Sequence, residues 1–165
     1  MDKKFSIIIP CYSTHNYLDV CVNSLLKQTI GFDSLEIIFI DDNSNDNGHT
    51  VNKLKEYENK YPDNIVLILN DENMGPGGCR NIALEYASGE YIAYLDSDDW
   101  IDDDALENEM EIRADEHSRR KACNEKRPLQ RPAFLSAHLP QQCPPADIEV
   151  RYQKDYVEAL QDYCA

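Results

Sequence analysis

The chain has few basic residues and no long apolar segment. Lys and Arg number 16 against 31 Asp and Glu, so the formal net charge of the 165 residues is −15 at pH 7. This balance argues against nucleic acid or an anionic membrane as the main partner, since both are negatively charged. The first apolar run ends at Pro10, too early for a signal peptide. No stretch reaches the ~20 apolar residues that span a bilayer. We therefore expect a cytoplasmic protein without a transmembrane segment.

Two further sequence motifs are missing. The six cysteines are scattered without a C-x-x-C pair, which is typical of reduced intracellular thiols and not of a disulfide framework. Glycine is absent from residues 10–15 (PCYSTH), the turn that follows the first apolar run. A Rossmann dinucleotide site needs G-x-G-x-x-G at that place. NAD and FAD are therefore not predicted as ligands.

Short apolar runs alternate with amphipathic segments along the first part of the chain. The pattern predicts strands at residues 5–10, 35–40, 65–69 and 91–95, with helices at 17–28, around 51–57 and from 75–78 to 89. Continuous apolar strands alternating with helices indicate an α/β fold with a mostly parallel sheet, covered by helices on both faces. Such sheets bind ligands beyond the carboxyl ends of their strands. Polar clusters follow the first, second and fourth strands, at residues 11–13, 41–44 and 96–99.

The fourth predicted strand runs directly into three carboxylates, Asp96, Asp98 and Asp99. Asp96 and Asp98 leave the same face if the strand continues. Carboxylates this close repel each other unless a cation lies between them or one of them takes up a proton. Mg²⁺ or Mn²⁺, which usually binds together with phosphates, is the natural cation. The segment predicts a metal–diphosphate site, with a solvated acidic turn as the alternative.

Four segments, in this order, resemble family 2 glycosyltransferases of the GT-A fold. They are residues 5–13 (FSIIIPCYS), 40–44 (IDDNS), 73–81 (NMGPGGCRN) and 89–99 (GEYIAYLDSDD). The resemblance implies a Rossmann-like GT-A domain over residues 1–106 that binds a nucleotide sugar. Residues 107–165 carry a basic stretch at 113–131 and are rich in proline, and they are predicted to form an irregular C-terminal tail.

The resemblance also implies a role for individual side chains. The nucleotide-binding set would be Pro10, Tyr12, Asp41, Asp42, Arg80 and Asp96, and the metal set would be Asp98 and Asp99. Asp42 would accept a hydrogen bond from a uracil-type base, and Asp96 would contact the ribose. Asp42 has a structural alternative as a helix cap. Arg80, expected in the first turn of the third helix, has one as a surface residue. No catalytic residue is assigned.

The activity implied by the resemblance is metal-dependent, inverting transfer of a sugar from a nucleotide sugar. A UDP-sugar is the preferred donor, a glycan or lipid-linked molecule the acceptor, and Mn²⁺ or Mg²⁺ the cofactor, as in polysaccharide biosynthesis. Peripheral membrane association is left open. After Trp100 there is no Glu-Asp pair and no Q-x-x-R-W, features of the family's acceptor half. The alternative is a nucleotide-sugar-binding module without transfer, whose tail is truncated, frameshifted or divergent. The chain as given is therefore expected to transfer sugar poorly.

Overall fold

The computed structural model describes residues 3–112 and the strand at residues 149–152. The strands and helices are β1 (Phe5–Cys11), α1 (Leu18–Leu26), β2 (Leu35–Asp41), α2 (His49–Lys60), β3 (Ile65–Leu69), α3 (Gly75–Leu84), β4 (Tyr91–Tyr94) and β5 (Glu149–Tyr152). A single 3₁₀ turn, Phe32–Ser34, precedes β2, and residues 105–112 form a further helix, α4. The predicted alternation of strands and helices up to β4 is confirmed. No helix in the described part of the chain is both long enough and apolar enough to cross a bilayer.

The sheet has the strand order β3-β2-β1-β4-β5. The first four strands are parallel, and β5 runs antiparallel to β4. The chain steps outward from β1 to β3, and then crosses back to place β4 on the other side of β1. The strand order therefore reverses between β1 and β4, which is where open α/β sheets bind their ligands.

Helices cover both faces of this sheet. In β1, Phe5, Ile7 and Ile9 belong to the core shared with α1 and α2. Ile8 of the same strand belongs to the core shared with α3. Because successive side chains of a strand point to opposite faces, a strand buried on both faces is apolar at nearly every position. This explains the nearly continuous apolar run of β1, in which the buried Ser6 is the exception and donates its hydroxyl to Glu36.

The strand β5 corrects the expectation of a wholly irregular tail. It pairs with the whole of β4, from Tyr91 opposite Tyr152 to Tyr94 opposite Glu149. Its sequence, EVRY, alternates charged residues with Val150 and Tyr152, which fits a half-buried strand but does not identify β4 as its partner. The hydrogen bonds that define it come from a strand far away in the sequence, which a local pattern does not reveal.

The helix α4 crosses the predicted domain boundary at residue 106. Leu106 is fully buried, and Met110 packs against the core that α1 and α2 cover. Helical structure that contacts this core thus continues beyond residue 107. The division into residues 1–106 and 107–165 remains a prediction.

Gly89 lies where the chain enters β4 and passes close to β1. A Cβ atom on Gly89 would lie 2.5 Å from the backbone nitrogen of Ser6 and 2.6 Å from the carbonyl carbon of Phe5. Backbone atoms of a central strand do not move aside without bending the strand. We therefore expect Gly89→Ala to lower the free energy of unfolding by about 1–3 kcal/mol, as measured by urea denaturation.

The matched control for this prediction is Gly77→Ala. Gly77 lies in α3, and a Cβ atom there would meet nothing within 4 Å. Alanine is the better helix former, so this change should be neutral or stabilising by up to about 1 kcal/mol. Similar effects of the two substitutions would contradict the steric explanation.

Candidate functional site

A cavity of about 260 Å³ opens at the carboxyl edge of the sheet, beyond the ends of the paired strands β1 and β4. The loops after β1, β2 and β4 and the start of α3 form its wall. Its lining residues are Pro10, Cys11, Tyr12, Thr14, Asp42, Pro76, Asp96, Ser97 and Asp98. The strand order alone places a ligand site here, and the largest group of predicted site residues lies around the same opening.

The predicted residues divide into two groups around this cavity. Those that line it are Pro10, Tyr12, Asp42, Asp96 and Asp98. Those that do not line it are Asp41, Arg80 and Asp99. The strand β4 ends at Tyr94, and the backbone N–H of Asp99 donates to the carbonyl of Asp96 at 3.0 Å. Asp96 and Asp98 thus reach the cavity from a turn and not from a continued strand.

The carboxylate of Asp42 is a structural anchor for the start of α3. It accepts hydrogen bonds from the backbone N–H groups of Met74 and Gly75, each at 2.8 Å, and from the Asn70 side chain at 3.0 Å. Asp42 is buried, and burial by itself opposes ionisation. The hydrogen bonds, led by that from Met74, outweigh burial and keep the pKa of Asp42 below its ordinary value. The carboxylate also lines the cavity. The cap predicted for Asp42 was on the helix that follows it in the chain, but the helix that it binds is α3 and not α2.

Asp41 shapes the loops and does not line the cavity. Its carboxylate accepts hydrogen bonds from the hydroxyl of Ser44 at 2.5 Å and from the backbone N–H of Ser44 at 3.1 Å. The same hydroxyl oxygen accepts the backbone N–H of Ser13 at 2.8 Å. Asp41 therefore links the loop after β2 to the loop after β1. Its role in the structure is to position the part of the wall that carries Tyr12.

Arg80 and Asp96 form an ion pair at the edge of the cavity. Arg80 lies in the second turn of α3, one turn later than predicted. Its guanidinium is 2.9 Å from Asp96 Oδ1 and 5.4 Å from the centre of the Tyr94 ring. The side chains are 36% and 54% exposed, so the pair adds little to stability. The pair instead orients Asp96 and holds a positive charge next to the cavity.

Asp98 and Asp99 have the properties expected of metal ligands that act together with phosphates. The Asp98 side chain is exposed, and its carboxylate accepts no hydrogen bond from the described residues. Burial, followed by the charges of Asp98 and Asp96, raises the pKa of Asp99. In the described residues, no three His, Cys, Asp or Glu side chains group closely enough to bind a metal by themselves. The donors fit Mg²⁺ or Mn²⁺ only in the common arrangement of one or two carboxylates with phosphate oxygens.

Four lining residues were not predicted to bind the ligand: Cys11, Thr14, Pro76 and Ser97. The Thr14 hydroxyl oxygen is buried and faces the Cys11 thiol. Burial raises the pKa of the Cys11 thiol, which therefore stays protonated and is unsuited to act as a nucleophile. Pro76 could have been predicted as a lining residue, because it directly follows the glycine that opens α3. Nothing in the sequence around Thr14 indicates that it lines the cavity.

Comparison with known proteins now assigns the family. The family model described as "Glycosyl transferase family 2" matches residues 6–120. The chain belongs to glycosyl transferase family 2.

This family 2 chain is similar to part of several named proteins and solved structures. It is 40% identical over 113 residues to the minor teichoic acid biosynthesis protein GgaB of Bacillus subtilis, covering 68% of this chain and 12% of GgaB. The crystal structure of S. aureus TarS 1-349 in complex with UDP matches with a TM-score of 0.62 and 35% identity, over 69% of this chain and 33% of that one. A mannosyltransferase from Pyrobaculum calidifontis, in complex with GDP-Man and Mn²⁺, matches with a TM-score of 0.54 and 25% identity, over 61% and 29% of the two chains. The chain spans a small part of the length of these proteins.

The anchoring role of Asp42 gives a stability prediction. Asp42→Ala would leave the N–H groups of Met74 and Gly75 without their acceptor, and we expect it to lower the free energy of unfolding by about 1–3 kcal/mol at pH 7. The folded-state pKa is depressed, so the ionised carboxylate stabilises the fold above its ordinary value of 3.8. This contribution disappears as the pH falls through the lower folded-state value. Urea denaturation at pH 7 and near pH 3 would measure both effects, and an equal loss at the two pH values would contradict the charge-based explanation.

Proposed function

We propose that this family 2 chain binds a nucleotide sugar, preferably a UDP-sugar, in the cavity beyond the ends of β1 and β4. The observation that carries the proposal is the convergence of Pro10, Tyr12, Asp42, Asp96 and Asp98 on one opening at the switch point of the sheet. The similarity to TarS, whose structure contains UDP, supports uridine as the nucleoside. GDP is kept as an alternative because the Pyrobaculum enzyme binds GDP-Man.

The residues that line the cavity suit the parts of a nucleoside diphosphate. Tyr12 is 50% exposed, so its ring is available to contact a base, and Asp42 is a carboxylate acceptor in the lining. Asp96 would contact the ribose, and Asp98, assisted by Asp99, would hold the cation on the diphosphate. A bound Mn²⁺ or Mg²⁺ would neutralise the negative charge that develops on the leaving diphosphate. Arg80, paired with Asp96, adds a positive group close to that place.

We further propose inverting transfer of the sugar to a glycan or lipid-linked acceptor. Inverting transfer needs a base to take the proton of the acceptor hydroxyl. Within the described residues, each carboxylate of the cavity wall already has another role: Asp42 anchors α3, Asp96 pairs with Arg80, and Asp98 is assigned to the metal. A donor-binding module without transfer is therefore the second candidate. Assays of UDP-sugar cleavage with and without acceptor glycans separate the two, since only a transferase gives acceptor-dependent product.

We also propose that the protein is located in the cytoplasm. The cysteines of the described residues, Cys11, Cys21 and Cys79, are free and buried, as expected for a reducing compartment. The net charge of −15 supports the expectation that nucleic acid is not a partner. Peripheral contact with a membrane would be needed only for a lipid-linked acceptor.

The central prediction is metal-dependent binding of UDP. Wild-type protein should bind UDP more tightly in Mn²⁺ than in EDTA, and Asp98→Asn should abolish the difference by removing the charge that faces the cation. The matched control is Asp103→Asn, which removes an exposed carboxylate of the same acidic segment. Isothermal calorimetry measures the UDP affinities of the three proteins in both conditions. Equal binding by the wild type in Mn²⁺ and in EDTA would contradict the metal assignment.

The second binding prediction concerns base recognition by Asp42. Asp42→Asn keeps one acceptor oxygen but loses the charge, and losing a charged hydrogen bond to the base should cost about 1.5–3 kcal/mol, or at least tenfold in UDP affinity. Because Asp42 also anchors α3, binding of inorganic pyrophosphate with Mn²⁺ serves as the control. A loss confined to UDP supports base recognition. An equal loss of affinity for both ligands, or no loss for either, would show that Asp42 does not recognise the base and acts only as a structural anchor.

A further inference from the structure

The acidic segment after β4 needs anchors to keep its shape. Residues 96–104 contain six aspartates, whose like charges favour an expanded conformation. At the start of the segment, the backbone N–H of Leu95 donates to the carbonyl of Ile8 at 3.1 Å. This bond extends the pairing of β4 with β1. The carboxylates of Asp96, Asp98 and Asp99 follow directly, so their positions also depend on what holds the other end.

Gln28 holds the other end of the segment. Its side-chain amide donates to the carbonyl of Asp102 at 2.7 Å and to the carbonyl of Ser24 at 3.2 Å. Its side-chain oxygen accepts the backbone N–H of Leu106 at 3.2 Å. Gln28 is only 4% exposed, so both ends of its amide are satisfied by the protein. It joins the end of α1 to both sides of the turn that leads into α4.

Two neighbouring contacts reinforce this attachment. The backbone N–H of Thr29 donates to the carbonyl of Asp103 at 2.8 Å, and its hydroxyl donates to Glu107 at 2.6 Å. Ile101 is 2% exposed and lies in the core that α1 covers. The segment from Asp96 to Trp100 is thus a short bridge between two fixed points.

We infer that Gln28 is a positioning residue for the metal site: by fixing residues 102–106 to α1, it holds the turn that presents Asp98 and Asp99 to the cation. The inference rests on the proposed function for its metal, and on the hydrogen bonds of Gln28 for its geometry. Gln28 does not line the cavity and acts only through the backbone of the acidic segment. Outer partners that orient metal ligands typically contribute 10–100-fold to metal affinity.

The test compares Gln28→Met with a matched buried amide elsewhere. Asn64 is 8% exposed and donates to the carbonyls of Phe32 and Leu35, each at 2.9 Å. It precedes β3 at the amino-terminal edge of the sheet, opposite the cavity. Asn64→Leu should therefore match the loss of stability without disturbing the acidic segment. Gln28→Glu is a second variant with nearly the same shape: it keeps the acceptor for Leu106 but sets a carboxylate against the carbonyls of Asp102 and Ser24, which repels them.

Two measurements on the full chain report the positioning. The first is the ratio of UDP affinities in Mn²⁺ and in EDTA. We expect this ratio to fall about tenfold or more in Gln28→Met and to fall in Gln28→Glu as well, but not in Asn64→Leu. The second needs no metal: Trp100, the only tryptophan, lies in the bridged segment and is 47% exposed. Its fluorescence anisotropy should fall in the Gln28 variants and stay unchanged in Asn64→Leu.

The outcomes separate this inference from the proposed function. If wild-type protein binds UDP equally with and without Mn²⁺, the metal assignment fails, and a role for Gln28 toward the metal fails with it. If the wild type shows the metal effect and folded Gln28 variants retain both the affinity ratio and the anisotropy, the inference alone is overturned. Equal changes in Asn64→Leu would also overturn it, since they would show a general effect of lost stability. Should Gln28→Met not fold, Gln28→Glu decides by the same criteria.

Discussion

The hydrogen bonds around the Asp42 carboxylate connect most of the elements that build the cavity. Asp42 directly follows β2, Asn70 directly follows β3, and Met74 and Gly75 begin α3. One buried carboxylate thereby fixes two strand ends and a helix start relative to each other. The two N–H groups that it binds are among those a helix leaves without an internal partner, so the negative charge and the helix end stabilise each other. The wall of the cavity depends on this arrangement.

The carboxylates at the carboxyl edge of the sheet have different hydrogen-bond and ion-pair partners, and these differences indicate their roles. Asp41 is satisfied by Ser44, Asp42 by backbone N–H groups, and Asp96 by Arg80. Asp98 has no such partner within the described residues. Carboxylates that lack a protein partner bind cations most readily. The proposed metal site therefore rests on the missing partner of Asp98, and not on the number of acids in the segment. The same difference in partners is why the more exposed Asp98, and not the buried Asp42, is assigned to the metal.

The sequence predicted the fold up to β4 well because its signals are local. Three of the first four strands are apolar runs that end in a polar cluster, which is the pattern expected of strands buried on both faces that lead into a site. The family resemblance named eight candidate donor-site residues, of which five line the cavity and three, Asp41 among them, do not. The pairing of β5 with β4 and the packing of α4 on the core depend on contacts between distant segments, which no local pattern specifies.

The sequence by itself determined the parallel α/β sheet, the carboxylates at its strand ends and the membership of glycosyl transferase family 2. Only the tertiary structure decided which of these acids face the cavity, where Arg80 points and what Gln28 holds. The physical reason is that these choices depend on hydrogen bonds between residues far apart in the chain. Gln28 and Leu106, for example, are 78 positions apart. Such partners are brought together by the packing of helices on the sheet, and no spacing within a single segment specifies them.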